Sequence, residues 1–266
     1  MTRISVVGVA LAILVACGGG GGGPMTPSSP APIPSADACN SLGGTAASSG
    51  LPILNGSACS TDRSSVLLMN LRTSDELGLG ACSGTLIAPR VILTAAHCLD
   101  EGVGIVRVWL GSGAEIITTT FALYPGYAFN RSGFDVGVVF MADDLPRNPV
   151  PILTSRDGAV GETAIIAGWG RDQNNSSHIL RAGSTRISAL SNGFLETLYA
   201  PPSSSVCAGD SGGPILLSEG GAWVVAGITS ATSNNVCNEG TNFYQTVRHQ
   251  SVRDFIQQHV SGVAQR

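Results

Sequence analysis

Charged and aromatic side chains are scarce in this sequence of 266 residues: Asp, Glu, Lys and Arg make up 12% and Phe, Trp and Tyr 5%. The net charge is −4 and no run of like charges occurs, which argues against a nucleic-acid partner because the phosphates require a basic surface. No apolar stretch reaches the roughly 18 residues of a membrane-spanning helix. Glycine is abundant, at 35 positions, and the composition favours an exported, turn-rich protein made mainly of β-strands.

The first 16 residues have the pattern of an export signal, with Arg3 ahead of a short apolar segment. The segment is too short to span a membrane. The sequence Leu14-Val15-Ala16-Cys17 resembles the bacterial lipobox, in which the signal is removed ahead of a cysteine that becomes lipidated. The resemblance implies a lipoprotein signal peptide at 1–16 and a lipid on Cys17. The alternative is an ordinary signal peptide that is cut nearby and leaves a free thiol.

Residues 17–38 contain six consecutive glycines followed by a segment rich in Pro, Ser and Thr. Such a composition cannot bury an apolar core, so we expect a disordered tether. A flexible segment of about twenty residues extends on the order of 25 Å, which would hold a globular body away from a membrane. An exported bacterial protein, anchored through Cys17 and facing the periplasm or the cell exterior, is therefore expected. Six of the seven cysteines then remain for the body, an even number that suits disulfides.

From about Ala38 onward, short apolar runs rich in β-branched residues alternate with Gly, Pro, Asn and Ser. This pattern is typical of the short strands of a β-sandwich or β-barrel. The runs are 65–71, 84–94, 104–110, 115–123, 135–140, 163–167, 214–217 and 223–228. One helix is predicted over 251–260, where apolar residues recur at three- and four-residue steps.

The most informative stretch is CAGDSGGP at 207–214, which places Ser211 among small residues. Gly209, Gly212 and Gly213 allow backbone angles that a Cβ would prevent. A tight loop of this kind exposes the serine and lets amide groups converge on a developing oxyanion. Because a serine hydroxyl is a weak nucleophile by itself, it needs a positioned base from elsewhere in the chain.

Four motifs together resemble the chymotrypsin-like (trypsin-fold) serine proteases. They are GDSGGP at 209–214, TAAHC at 94–98, FDVGVV at 134–139 and GWG at 168–170. They occur in the family's order, and the resemblance covers about residues 53 to 260. It implies an all-β fold of two six-stranded antiparallel β-barrels with a C-terminal helix, and a catalytic site in the cleft between the barrels.

By this resemblance the chain is a serine endopeptidase that hydrolyses peptide bonds of polypeptide substrates through an acyl-enzyme, without a metal or a cofactor. Ser211 would attack the scissile carbonyl, His97 would take the proton and return it to the leaving amine, and Asp135 would orient the imidazole. The backbone N–H groups of Gly209 and Ser211 would form the oxyanion hole. Asp143 and Asp144 are weaker candidates than Asp135 because they follow the apolar run instead of preceding it.

The resemblance also implies the disulfides. Cys82 and Cys98 match the bridge beside the catalytic histidine, and Cys207 and Cys237 match the bridge beside the substrate pocket. The remaining cysteines of the body, Cys39 and Cys59, are then paired with each other.

The sequence Ile53-Leu54-Asn55-Gly56 resembles the family's mature N-terminus. A cut before Ile53 would free an amine that pairs with Asp210, which makes 39–52 a candidate propeptide and 53–266 the protease domain. Leu51-Pro52 departs from the Arg or Lys that the family usually carries there. Either an activating protease with a different specificity cuts the bond, or the chain works uncut.

Residues aligned with the family's substrate pocket predict the preference for the residue before the cut. Ser205 occupies the base, where a trypsin-like pocket carries Asp, so a tryptic preference is not expected. Ser230, Ala231 and Thr232 form one wall and Asn242 the other, and their side chains are expected to narrow the pocket for small or medium uncharged residues. The backbone of 230–232 would pair with an extended substrate as an added strand.

A monomer is expected, and two alternatives to a protease remain open. The first is a non-catalytic, surface-displayed binding module with a protease fold. The second is a hydrolase of esters without peptide activity. The complete set of His97, Asp135 and Ser211 favours the protease, because a protein that has lost catalysis has no chemical need for all three.

Overall fold

The computed structural model describes residues 35–43, 53–100, 102–128, 133–172, 174–234 and 236–266. The predicted signal peptide, Cys17 and all but the last few residues of the predicted tether lie outside these ranges. The helices are α1 (Ser35–Asn40) and α2 (Gln250–His259). Within the described part of the chain, no helix has both the length and the apolar character needed to cross a membrane.

The strands of the described residues form two antiparallel sheets. In chain order they are β1 (Ser57–Ala58), β2 (Val66–Arg72), β3 (Gly78–Ala88), β4 (Val91–Thr94), β5 (Ile105–Trp109), β6 (Ile116–Thr118), β7 (Phe121–Leu123), β8 (Gly137–Phe140), β9 (Thr163–Gly168), β10 (Arg181–Ser191), β11 (Phe194–Leu198), β12 (Pro214–Glu219), β13 (Ala222–Thr232) and β14 (Thr241–Thr246).

The first sheet has the order β6-β5-β2-β3-β4-β8-β7. Its two end strands, β6 and β7, are separated in the chain only by Thr119 and Thr120. They act as the two halves of one bent strand, so the chain itself closes the sheet into a barrel. Counted in this way, the barrel has the six strands that the resemblance implies.

The second sheet has the order β1-β10-β11-β14-β13-β12-β9, and β10 also pairs with β9. This additional pairing closes six strands into a second barrel, and the two-residue strand β1 joins it at β10. The fold class predicted from the sequence, two antiparallel barrels followed by a C-terminal helix, is confirmed.

Several strands differ from the sequence prediction. The single run predicted over 84–94 is divided between β3 and β4 by a turn at Pro89 and Arg90, because proline has no N–H to donate to the ladder. The strands β10, β11 and β14 were not predicted. The sequences of β10 and β14 are rich in polar residues, and β11 has only five residues. They are strands because neighbouring strands on both sides satisfy their backbone groups.

The segment ahead of Ile53 packs on the second barrel. Helix α1 contacts β1 and β10, and Ala38, Cys39 and Leu42 are fully buried. Cys39 is joined to Cys59 by a disulfide with an S–S distance of 2.01 Å. The beginning of the candidate propeptide is thus fastened covalently to the body.

Candidate active site

His97 lies in a short 3-10 helix, Ala96–Cys98, directly after β4. Ala96 and Cys98 point into the core, and the Cys82–Cys98 disulfide ties the turn to β3. The His97 side chain, 20% exposed, therefore lies at the surface of a rigid turn.

Asp135 lies two residues before the start of β8, which pairs with β4 so that Gly137 lies opposite Thr94. This register places the start of β8 beside the end of β4, and His97 lies three residues after that end. Asp135 is buried; its Oδ2 lies 2.8 Å from His97 Nδ1, and its Oδ1 accepts the backbone N–H of His97 at 3.0 Å. The carboxylate thereby holds Nδ1 as a donor and leaves Nε2 to act as a base.

Two further side chains hold Asp135. Ser230 Oγ donates to Asp135 Oδ2 at 2.5 Å, so Ser230, predicted only as a pocket wall, also supports the carboxylate. The buried Gln245 accepts the Asp135 backbone N–H at 3.2 Å and donates from Nε2 to the carbonyl of Gly193 at 3.0 Å. Gln245 was not predicted because it lies on β14, a strand that the apolar pattern does not reveal.

The loop that carries Ser211 is packed against the first barrel. Gly209 and Gly212 have φ values of 96° and 80°, in the region that favours glycine. A Cβ on Gly212 would overlap Thr94 Oγ1 and the carbonyl of Ser83. Ser83 donates its N–H to the Ser211 carbonyl at 2.8 Å and its Oγ to the Gly209 carbonyl at 2.9 Å. The glycines that the sequence motif singles out are therefore required by close backbone packing.

The amides of Gly209 and Ser211 donate no hydrogen bond to any described residue, as an oxyanion hole requires. Ser211 and His97 line the same cavity. In the described part of the chain, Ser211 Oγ makes no hydrogen bond to His97, a contact that is often long in unliganded enzymes and shortens with substrate.

Asp210 comes directly before Ser211 in this loop, and its side chain is buried. Its two carboxylate oxygens accept the backbone N–H groups of Gly170 and Cys207, each at 2.8 Å. Burial raises the pKa of Asp210 to about 6, while these two hydrogen bonds and the charge of Arg181 act in the opposite direction. Arg181 is itself buried and pairs with Asp172 at 3.0 Å.

The raised pKa of Asp210 predicts a pH-dependent stability. The unfolded chain releases this proton near pH 3.8 and the folded chain near pH 6, so the folded state binds the extra proton in between. The free energy of unfolding should therefore fall, by about 1.4 kcal/mol per pH unit, as the pH rises from about 4 to 6. Urea unfolding of uncut Ser211→Ala protein, compared with its Asp210→Asn derivative across this range, measures the effect. Identical pH profiles for the two proteins would contradict it.

The cavity beside Ser211 has a volume of about 710 Å³. Ser230, Ala231 and Thr232 line it, together with both cysteines of the Cys207–Cys237 disulfide. The other two predicted pocket residues, Ser205 and Asn242, are fully buried and are not among the described residues that line it.

Ser205 and Asn242 instead bond to each other. Ser205 Oγ donates to Asn242 Oδ1 at 3.2 Å, and Asn242 Nδ2 donates to Thr197 Oγ1 at 3.1 Å. The two side chains thus form an uncharged, internally hydrogen-bonded layer, and the narrowing of the pocket by Asn242 stays a prediction. The direction of the Asn242 side chain on β14 decides which groups it contacts, and the sequence alone does not determine that direction.

Ile53 is buried at a φ of 29°. The next residue, Leu54, pairs with Ser205 in an isolated β-bridge. The segment that begins at Ile53 thus runs beside the residue predicted as the pocket base. The peptide bond proposed for cleavage involves residue 52, which lies outside the described residues.

Comparison with known proteins supports the resemblance. A family model described as Trypsin matches residues 53–256. Trypsin beta of Drosophila erecta is 28% identical over 222 residues, covering 74% of this chain and 86% of the Drosophila protein. Brachyurin of Leptuca pugilator is 30% identical over 192 residues, covering 60% of this chain and 79% of brachyurin. A solved structure titled "HL collagenase structure at 1.7 Å resolution" aligns with a TM-score of 0.62 and 22% identity, covering 73% of this chain and 92% of that one; this likeness concerns the fold.

Proposed function

The chain belongs to the trypsin family of serine proteases, and from that membership we propose that it is an endopeptidase acting through a His97, Asp135 and Ser211 triad. The observation that carries the proposal is the pair of contacts from Asp135 to His97, at 2.8 and 3.0 Å, beside a serine loop whose two amides are unoccupied among the described residues. This arrangement has a direct use in acyl transfer.

The proposed reaction follows from these contacts. Because Asp135 holds Nδ1 of His97, Nε2 accepts the proton of Ser211 Oγ as that oxygen attacks the scissile carbonyl. The amides of Gly209 and Ser211 stabilise the oxyanion of the tetrahedral intermediate. His97 then protonates the leaving amine, and a water molecule activated by the same imidazole hydrolyses the acyl-enzyme and regenerates Ser211.

We further propose that the enzyme prefers small or medium uncharged residues before the cut. The layer formed by Ser205 and Asn242 carries no charge to attract Arg or Lys. The cavity wall at Ser230, Ala231 and Thr232 belongs to β13, whose exposed end is positioned to pair with an extended substrate.

Cleavage of a mixed peptide library by the full chain tests the proposed function. We expect cuts after small or medium uncharged residues. We also expect a serine-directed phosphonate to stop the cuts and to leave its adduct on Ser211, with none on the neighbouring Ser230. Cleavage of simple esters without any peptide cleavage would indicate an esterase. If neither substrate is cleaved, even after a cleavable site is placed ahead of Ile53, the chain is a binding module.

Activation and anchoring belong to the same proposal. A cut before Ile53 would supply an ammonium for the buried Asp210 carboxylate, and the Cys39–Cys59 disulfide would keep the preceding segment attached. A lipid on Cys17 would then still hold the cut protease at a membrane. The relatives named above are animal proteins, so the bacterial lipid anchor depends on residues 14–17 alone.

Metabolic labelling with palmitate in bacteria tests both steps. We expect label on the full chain in a non-reducing gel. After reduction, the label should move to a short fragment and leave an unlabelled body whose first residue is Ile53. Label that stays with the body after reduction would argue against the cut. Equal labelling of Cys17→Ser protein would refute lipidation.

A further inference from the structure

A second cavity, of about 440 Å³, adjoins the candidate active site. Ala208 lines both cavities, and Gly209 lines the second one. The walls of the second cavity come from β2, from β3 and from the segment that follows β9. The two cavities thus flank the loop that carries Ser211.

The path of an extended substrate connects the cavities. The part of the substrate that precedes the cut bond becomes the acyl group. It pairs with residues 230–232 in the first cavity, which Ser211 also lines. The part of the substrate that follows the cut begins at the nitrogen of the cut bond. It runs away from the first cavity, past Gly209. The second cavity therefore receives the residues that follow the cut.

Two arginines line this second cavity, Arg72 at the end of β2 and Arg171 after β9. None of the described residues of its lining is acidic. Arg171 is exposed, and Arg72 is half-buried with its Nε buried and without a hydrogen-bond partner among the described residues. Neither guanidinium forms an ion pair within the described part of the chain.

Of the acidic side chains close to these arginines in the chain, two are paired with other arginines, and the third, Asp75, accepts a hydrogen bond from Thr73 and forms no ion pair with Arg72 or Arg171. Asp172, next to Arg171, is buried and bonded to Arg181 at 3.0 Å. Glu76, in the turn after β2, bonds to Arg107 at 2.7 Å. The positive charge of the cavity is therefore not neutralised by these groups.

We propose that Arg72 and Arg171 make the leaving side of the cleft selective for a carboxylate, supplied by an Asp or Glu side chain just after the cut or by the C-terminus of a short substrate. This inference rests on the proposed peptidase function and adds a substrate class to it. A guanidinium binds a carboxylate through two parallel hydrogen bonds. The backbone of Arg72 lies in β2 and that of Arg171 donates its N–H to the Ala208 carbonyl at 2.9 Å, so both backbones are held in place beside the cavity.

Matched peptides test the inference. They share the residues before the cut and carry either Glu or Gln at the two positions after it, in a long peptide with an amidated C-terminus. We expect kcat/KM to be about tenfold higher for the Glu peptide. Arg72→Gln and Arg171→Gln should each reduce that ratio, and Arg171→Lys should retain part of it. A parallel pair of short peptides, ending just after the cut as a free acid or as an amide, separates the C-terminal source from the side-chain source.

Two controls separate specificity from folding and from general catalysis. An anilide substrate without residues after the cut should be cleaved equally by wild type and by the arginine variants. Arg90→Gln, which removes an exposed arginine paired with Asp144, should leave the Glu to Gln ratio unchanged.

Equal kcat/KM values for acidic and neutral peptides in the wild type, in both the long and the short pair, would overturn the inference while leaving the protease intact. A preference that survives in both arginine variants would overturn it as well. Failure to cleave any peptide or the anilide would overturn the proposed function, and the inference with it.

Discussion

Replacement of Ser211 by alanine is expected to lower kcat for peptide hydrolysis by about 10⁶-fold, because the variant lacks the atom that forms the acyl-enzyme. Ser211 Oγ makes no hydrogen bond to any described residue, so its removal should leave stability nearly unchanged. The amides of Gly209 and Ser211 remain in place. A residual rate about 10³- to 10⁴-fold above the uncatalysed reaction should therefore persist.

Single-turnover kinetics with the best library peptide, alongside thermal unfolding of the same samples, measure this loss. The matched control is Ser188→Ala, at an exposed serine on β10, for which kcat should change less than about twofold. A Ser211→Ala protein that keeps more than a few per cent of wild-type kcat would show that another residue is the nucleophile.

Replacement of Asp135 by asparagine is expected to lower kcat by about 10⁴-fold, the loss typical of such a triad. Asp135 Oδ1 accepts the His97 backbone N–H, while Oδ2 faces both His97 Nδ1 and Ser230 Oγ. An asparagine that keeps its oxygen at the first position places NH₂ at the second. The imidazole must then carry its proton on Nε2, which can no longer accept the proton of Ser211.

The substrate KM and the folded structure should change little, since the asparagine has nearly the same shape. The matched control is Asp144→Asn, which changes an exposed carboxylate that bonds Arg90. This variant should have nearly the wild-type kcat. Combining Asp135→Asn with Ser211→Ala should cost little more than Ser211→Ala alone, because the triad acts as a unit. Multiplied losses in the double variant would mean that the two residues act independently.

Local sequence patterns were sufficient for several features of this protein. Short apolar runs predicted most strands of the first barrel, and the three- and four-residue spacing predicted α2. The close packing around residue 212 requires a glycine, and the sequence motif contains one at that position. These features could be predicted from the sequence because the strand pattern, the helix period and the need for glycine each depend on residues close together in the chain.

Other features depend on residues distant in the chain. The strand β10 forms because β9 and β11 satisfy its backbone, and Gln245 reaches Asp135 across 110 positions. The Asn242 side chain bonds to Ser205 and Thr197, which lie 37 and 45 positions away in the chain.

By itself, then, the sequence pattern determined a body made mainly of short β-strands, and the motifs, through their resemblance to the family, implied the two barrels and the candidate triad. Only the tertiary structure decided which polar groups support Asp135, which residues line each cavity and which arginines remain unpaired. Those outcomes depend on strand register and side-chain direction across the barrels, which the chain acquires only when non-local backbone and side-chain groups pack together.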